Sequence, residues 1–165
     1  MGLKLHWVAL RDTAPDEATE LLELKRTGEL HEGPWPEVAG AELPSGWYVA
    51  VFDGVETPRS SRLRQISAGR DVVAFQVQED ARFSSACQWS NGKELWWVLH
   101  DPEHGPDHLD ARGSVPTCRA GQTRYQLPLD LASTCSGFHY DALPDGVRFE
   151  KLVQAHPKRP WWKVW

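Results

Sequence analysis

Long apolar runs are missing from this 165-residue chain. No stretch of about 18 consecutive apolar residues occurs, so the sequence offers no membrane-spanning helix. The opening Met1–Arg11 is too short and too broken by charge for a secretory signal, and His6 stands where a myristoylation motif needs Ser or Thr. Cysteine is sparse. Cys87, Cys118 and Cys135 form an odd set with no CxxC, which reads as reduced thiols in a cytoplasmic protein. Also lacking are a Gly-x-Ser-x-Gly elbow, a phosphate loop and a dinucleotide fingerprint, so the usual nucleophile and cofactor signatures are absent and no cofactor is implied. With no internal repeat, low-complexity tract or dividing linker, residues 1–165 read as a single domain.

What the chain does have is tryptophan, nine of them, and acid gathered toward one end. Residues 12–42 carry nine carboxylates against Lys25 and Arg26, a local charge of −7, while the remainder carries fourteen acids and sixteen bases. A local excess gives the folded surface a face with a sign, which a uniform excess does not.

The patterning reads as α+β. Residues 3–10 alternate as a strand. Thr13, Pro15 and Asp16 then resemble the start of a helix, with Ala14, Ala18, Leu21, Leu22 and Leu24 on one stripe, so a long amphipathic helix is expected over 14–27. Gly and Pro at 33, 34, 36, 40, 44 and 46 predict an irregular loop over 31–46, pinned by Trp35. Trp47–Phe52 reads as a strand. A short helix follows from Ser60 or Ser61, with Leu63 and Ile66 inward. Val72–Gln78 is a strand with Val73, Phe75 and Val77 on one face. Asn91-Gly92 marks a two-residue hairpin that opposes Ser90 to Lys93, Trp89 to Glu94, Gln88 to Leu95 and Cys87 to Trp96. His108–Arg112 returns as another strand. Residues 128–136 fit a short helix or an irregular crossing, and 147–153 fit a strand or a helical turn. The expectation is a twisted antiparallel sheet of five or six strands, with one long and one short helix packed on it.

Four groups of residues could carry function. His100, Asp101, His104, His108 and Asp110 lie in one segment, and imidazoles with carboxylates suit a transition metal. Pro102, Gly105 and Pro106 forbid the helix that would align them, so a solvated polar turn is the plainer reading. Arg59, Arg62, Arg64 and Arg70 form a basic patch, but it lacks interleaved aromatics and belongs to an acidic chain, which argues against nucleic acid. The carboxylates Asp16, Glu17, Glu20 and Glu23 project from the first helix. Among the indoles, the neighbours Trp96 and Trp97 must face opposite sides of the sheet, while Trp161, Trp162 and Trp165 end the chain beside three cations. These last rings either seal a core edge or anchor a partner.

The stretch Val72 to Pro116 carries Val73-Ala74, Ser85, Trp89, Asn91-Gly92, Trp96-x-Val98, His100-Asp101, His108-Leu109, Gly113 and Pro116. In this pattern the chain resembles small bacterial proteins. In size, acidity and α+β design these resemble stand-alone immunity proteins of toxin systems. The resemblance implies a protein partner such as a toxin domain, and no catalytic residues. The residues favour the same class: a non-catalytic module in which Asp16, Glu17, Glu20 and Glu23 steer toward a basic partner and Trp161 and Trp162 anchor it. A metal-dependent enzyme centred on His100, Asp101, His104 and His108, or a Trp-lined small-molecule binder, stands as the alternative.

Overall fold

The computed structural model describes residues 2–54, 58–117 and 123–155. Among these residues nine strands form one antiparallel sheet, flanked by helices on both faces. The strands are β1 Lys4–Arg11, β2 Leu24–Leu30, β3 Val38–Glu42, β4 Trp47–Asp53, β5 Asp71–Gln78, β6 Phe83–Ser90, β7 Lys93–His100, β8 Asp110–Gly113 and β9 Glu150–Gln154. The helices are α1 Pro15–Leu21, α2 Ser60–Ile66 and α3 Leu127–Ser136. Across the sheet the order is β2-β9-β3-β4-β1-β5-β6-β7-β8.

Because alternate residues of a strand face opposite ways, the sheet makes two cores. Leu5, Trp7 and Ala9 of β1 join Val73, Phe75 and Val77 of β5, Val49 and Val51 of β4, and Leu131 and Ala132 of α3. Val8 and Leu10 join Val72, Ala74, Ala50 and Phe52, under Ala18 and Leu22 of α1 and Leu63 and Ile66 of α2. β1 is buried on both sides, which explains its nearly continuous apolar sequence.

The α+β class and the antiparallel sheet agree with the sequence; the strand count and the long helix do not. α1 ends at Leu21, and Glu23 adopts a left-handed φ of 57° that turns the chain. Leu24, on the expected helical stripe, is instead buried as the first residue of β2. The partner that decides this is remote: Leu24, Lys25 and Arg26 pair with Gln154, Val153 and Leu152 of β9. Side chains reinforce the ladder, since Arg26 Nε donates to Glu150 at 2.8 Å and Thr27 Oγ1 to the Lys151 carbonyl at 2.5 Å. Propensity favours a helix over 22–27, but tertiary pairing overrides it. Thr13 does not cap either: its hydroxyl donates to the Arg11 carbonyl, and Ala14 occupies the cap position without a side-chain bond. The expected loop over 31–46 likewise contains β3, whose Gly and Ala residues pack closely between β4 and β9.

The central hairpin follows the sequence for two pairs, Ser90 with Lys93 and Trp89 with Glu94, and then departs from it. A bulge at Leu95 sets Gln88 opposite Trp96 and Cys87 opposite Trp97. The inserted residue turns the Trp96 indole into the α3-side core, where its Nε1–H donates to Gln88 at 2.9 Å. Trp97 faces the other way, as adjacency requires, beneath the Arg112 guanidinium at 4.1 Å. β8 starts two residues later than expected.

His6 lies on the α1/α2 side of β1, stacked on Phe52 with centroids 4.8 Å apart. Its Nδ1 lies 2.8 Å from the Gly54 carbonyl oxygen, to which it can donate. Burial outweighs that bond and lowers the imidazole pKa from 6.5 to about 4. An unfolded chain therefore takes up a proton near 6.5 that the folded chain refuses until about 4. Stability is complete above the unfolded value, falls as pH drops through this window, and loses about 3 kcal/mol in all from this group. Urea unfolding at several pH values should show a shallower acid slope for His6→Gln than for the parent. An NMR titration of His6 with a midpoint near 6.5 contradicts this account.

Candidate functional site

Asp16, Glu17 and Glu20 of α1 and Glu23 in the turn after it reach the surface, and three of the four meet arginines of the same fold. Asp16 pairs with Arg26 at 3.0 Å, Glu17 with Arg70 at 3.0 Å, and Glu23 with Arg62 at 4.0 Å. Glu20 makes no ion pair among the described residues. Arg62 also donates to the Leu21 carbonyl at the end of the helix. Arg62 thus fastens the end of α1 to α2, Arg70 fastens its first turn to the start of β5, and the helix presents much less net charge than its sequence suggests. Trp161 and Trp162 lie outside the described residues.

The histidine segment folds as a turn whose imidazoles hold the chain. His100 is buried, and its Nδ1 donates to the His108 carbonyl at 2.7 Å. The Asp101 amide donates to His108 Nδ1 at 3.0 Å, which leaves the His108 proton on Nε2, 3.3 Å from Asp110. Both His108 nitrogens are therefore engaged within the turn. Asp101 accepts from the Glu103 amide, capping the single turn Pro102–His104. Among the described residues no group of three His, Cys, Asp or Glu is disposed to hold a metal ion.

Cys87 offers little to thiol chemistry. Cys87 is buried on β6, and burial pushes its thiol up to about 12, far from a reactive thiolate. Trp7, Trp47, Trp89 and Trp96 are likewise core residues, so these strand indoles do not line an open binding site.

One open groove among the described residues is a site the sequence did not single out. Beyond the end of β2, residues 30–35 face the 140–149 segment that leads into β9. The His31 amide donates to the Phe149 carbonyl at 2.8 Å and ties the two together. Between them lies a groove of about 300 Å³ lined by Leu30, His31, Trp35, Tyr140, Leu143 and Phe149, among others. Trp35 stands edge-on to Phe149 at 4.9 Å, with the His31 ring stacked on it at 6.2 Å. Trp35 does pin its loop, as expected, but one side of the pin is a groove wall. Two leucines flank the opening, Leu30 53% and Leu143 45% exposed, although large aliphatic side chains normally avoid water. Glu32 and Arg148 add the charges of the lining. Glu29, Asp141 and Asp145 are exposed on the same two stretches of chain. The clue in the sequence was Leu30 and Trp35 spaced among Glu29, Glu32 and Glu37. The second wall comes from more than a hundred residues away, and no local pattern announces it.

Comparison with protein-family models, with curated proteins and with solved structures found no match.

Proposed function

We propose that this chain is a non-catalytic protein-binding module for a basic partner, of the immunity-like kind that neutralises a toxin domain. The observation that carries the reading is the exposed leucine pair over an aromatic floor, set in two acidic stretches of chain. Interfaces join an apolar centre to a polar rim in this way. The engaged state of the His108 nitrogens and of the Cys87 thiol adds to it, since these are groups a hydrolytic or thiol mechanism would need available. Steering then falls not to Asp16, Glu17 and Glu23, which arginines offset, but to Glu20, Glu29 and Glu32.

The experiment is stopped-flow association with basic nuclease-type toxin domains at low and high salt. Complementary charge accelerates encounter, so raising salt should slow association by about tenfold. The combined variant Glu20→Gln, Glu29→Gln, Glu32→Gln should lose most of that salt dependence. Substitutions Asp16→Asn and Glu17→Gln should change stability more than rate, because their charges are spent internally. If no basic domain associates, or if salt leaves every rate unchanged, the reading fails.

A further inference from the structure

We propose that the groove between residues 30–35 and 140–149 receives a single branched or aromatic side chain of the partner, flanked in the partner's sequence by Lys or Arg. This rests on the binding-module reading and assigns it a contact. The walls fix the apolar part of the occupant. Trp35, held edge to face by the buried Phe149 at 4.9 Å, presents ring surface, while Leu30 and Leu143 supply aliphatic contact at the opening. A volume of about 300 Å³ suits a side chain and little more, far short of a helix face.

Charge fixes the flanks. Glu32 lies in the lining, and Glu29, Asp141 and Asp145 are exposed nearby in sequence, against Arg148 as the lining's guanidinium. Among the described residues none of these four carboxylates is in an ion pair. An apolar residue between cations satisfies both the walls and the rim. A residue between carboxylates would satisfy the walls and be repelled by the rim, which is how such a site discriminates. The anchor's desolvation supplies affinity, and the rim supplies selectivity.

The test uses two synthetic pentapeptides, Lys-Lys-Phe-Lys-Lys and Glu-Glu-Phe-Glu-Glu, titrated into the full-length isotope-labelled chain. The first should shift the Trp35 indole and the Leu30 and Leu143 methyl signals; the second should not. Leu143→Ser removes aliphatic contact from an exposed loop position and should weaken the first peptide by about tenfold. Glu32→Gln should weaken it by roughly threefold at low salt and have no effect at high salt. Dissociation constants above about 1 mM count as no binding. Equal binding of both peptides, shifts elsewhere on the surface, or an unaltered constant in Leu143→Ser overturns the proposal. A toxin domain that associates in a salt-dependent way yet ignores Leu143→Ser removes this contact and leaves the module reading standing. Peptide binding at the groove with no associating basic protein does the reverse.

Discussion

Alanine at Trp7 is expected to remove about 3–5 kcal/mol of stability, a large part of the 5–15 kcal/mol that a domain of this size holds. Trp7 sits at the middle of β1, fully enclosed, with Phe75 at 5.6 Å and Phe138 edge-on at 5.3 Å. β1 is the central strand and Phe138 follows α3, so the indole joins the sheet to the layer above it. Its removal leaves a cavity whose walls are strands held by ladders on both sides, which limits collapse. Urea unfolding should show the midpoint fall with the slope unchanged. Trp7→Phe should cost distinctly less. It keeps most of the ring contact and disposes of an indole N–H that is buried without an acceptor among the described residues. A loss below about 1.5 kcal/mol for the alanine variant would mean that this layer opens locally before the sheet does.

The second large effect comes from adding a single methyl group. A Cβ on Gly40 would penetrate the Tyr48 hydroxyl and lie 2.8 Å from Leu152 Cδ1. Gly40 is paired on both sides, with Ala50 of β4 and Glu150 of β9, so the backbone cannot step aside. Gly40→Ala should cost about 2–3 kcal/mol, near the upper range for overpacking. The Tyr48 ring lies across the glycine, and its buried hydroxyl has no partner among the described residues. Tyr48→Phe alone should therefore be neutral or slightly stabilising. It should also recover about 1 kcal/mol of the Gly40→Ala loss, a coupling that a double-mutant cycle reads directly. Additive losses would place the strain somewhere other than at the hydroxyl.

Local chemistry was legible in this sequence and remote pairing was not. Asn91-Gly92 set the hairpin and its first two pairs correctly, because a two-residue turn fixes register through its own backbone twist. Val73, Phe75 and Val77 share a face as their alternation demands, and Leu63 and Ile66 of α2 are buried as their spacing demands. The bulge at Leu95 leaves no mark in the local sequence because it is stabilised across the next ladder. There Gly113, at φ 75°, leaves room for the Leu95 backbone. β2 is hidden for the same kind of reason. Lys25, Arg26 and Gly28 look like a helix end until Glu150 is known to accept from Arg26 Nε and from the Gly28 amide. For the candidate sites, the sequence places the acids around α1 on the surface, but their partners are remote in sequence: Arg26 on β2, Arg62 on α2 and Arg70 just before β5. The groove needed both of its walls before it could be recognised.

The place of β9 in the sheet has a consequence for biosynthesis. β2 and β3 leave the ribosome well ahead of β9, the strand that belongs between them, which is made more than a hundred residues later. Until residue 154 emerges, β2 has no neighbour and β3 shows a bare backbone edge, the kind of exposure that nascent chains shield or lose to aggregation. The final closure is an insertion between two waiting strands, a long-range and therefore slow event. Translation that halts before Phe149 yields a product that lacks both β9 and the floor of the groove.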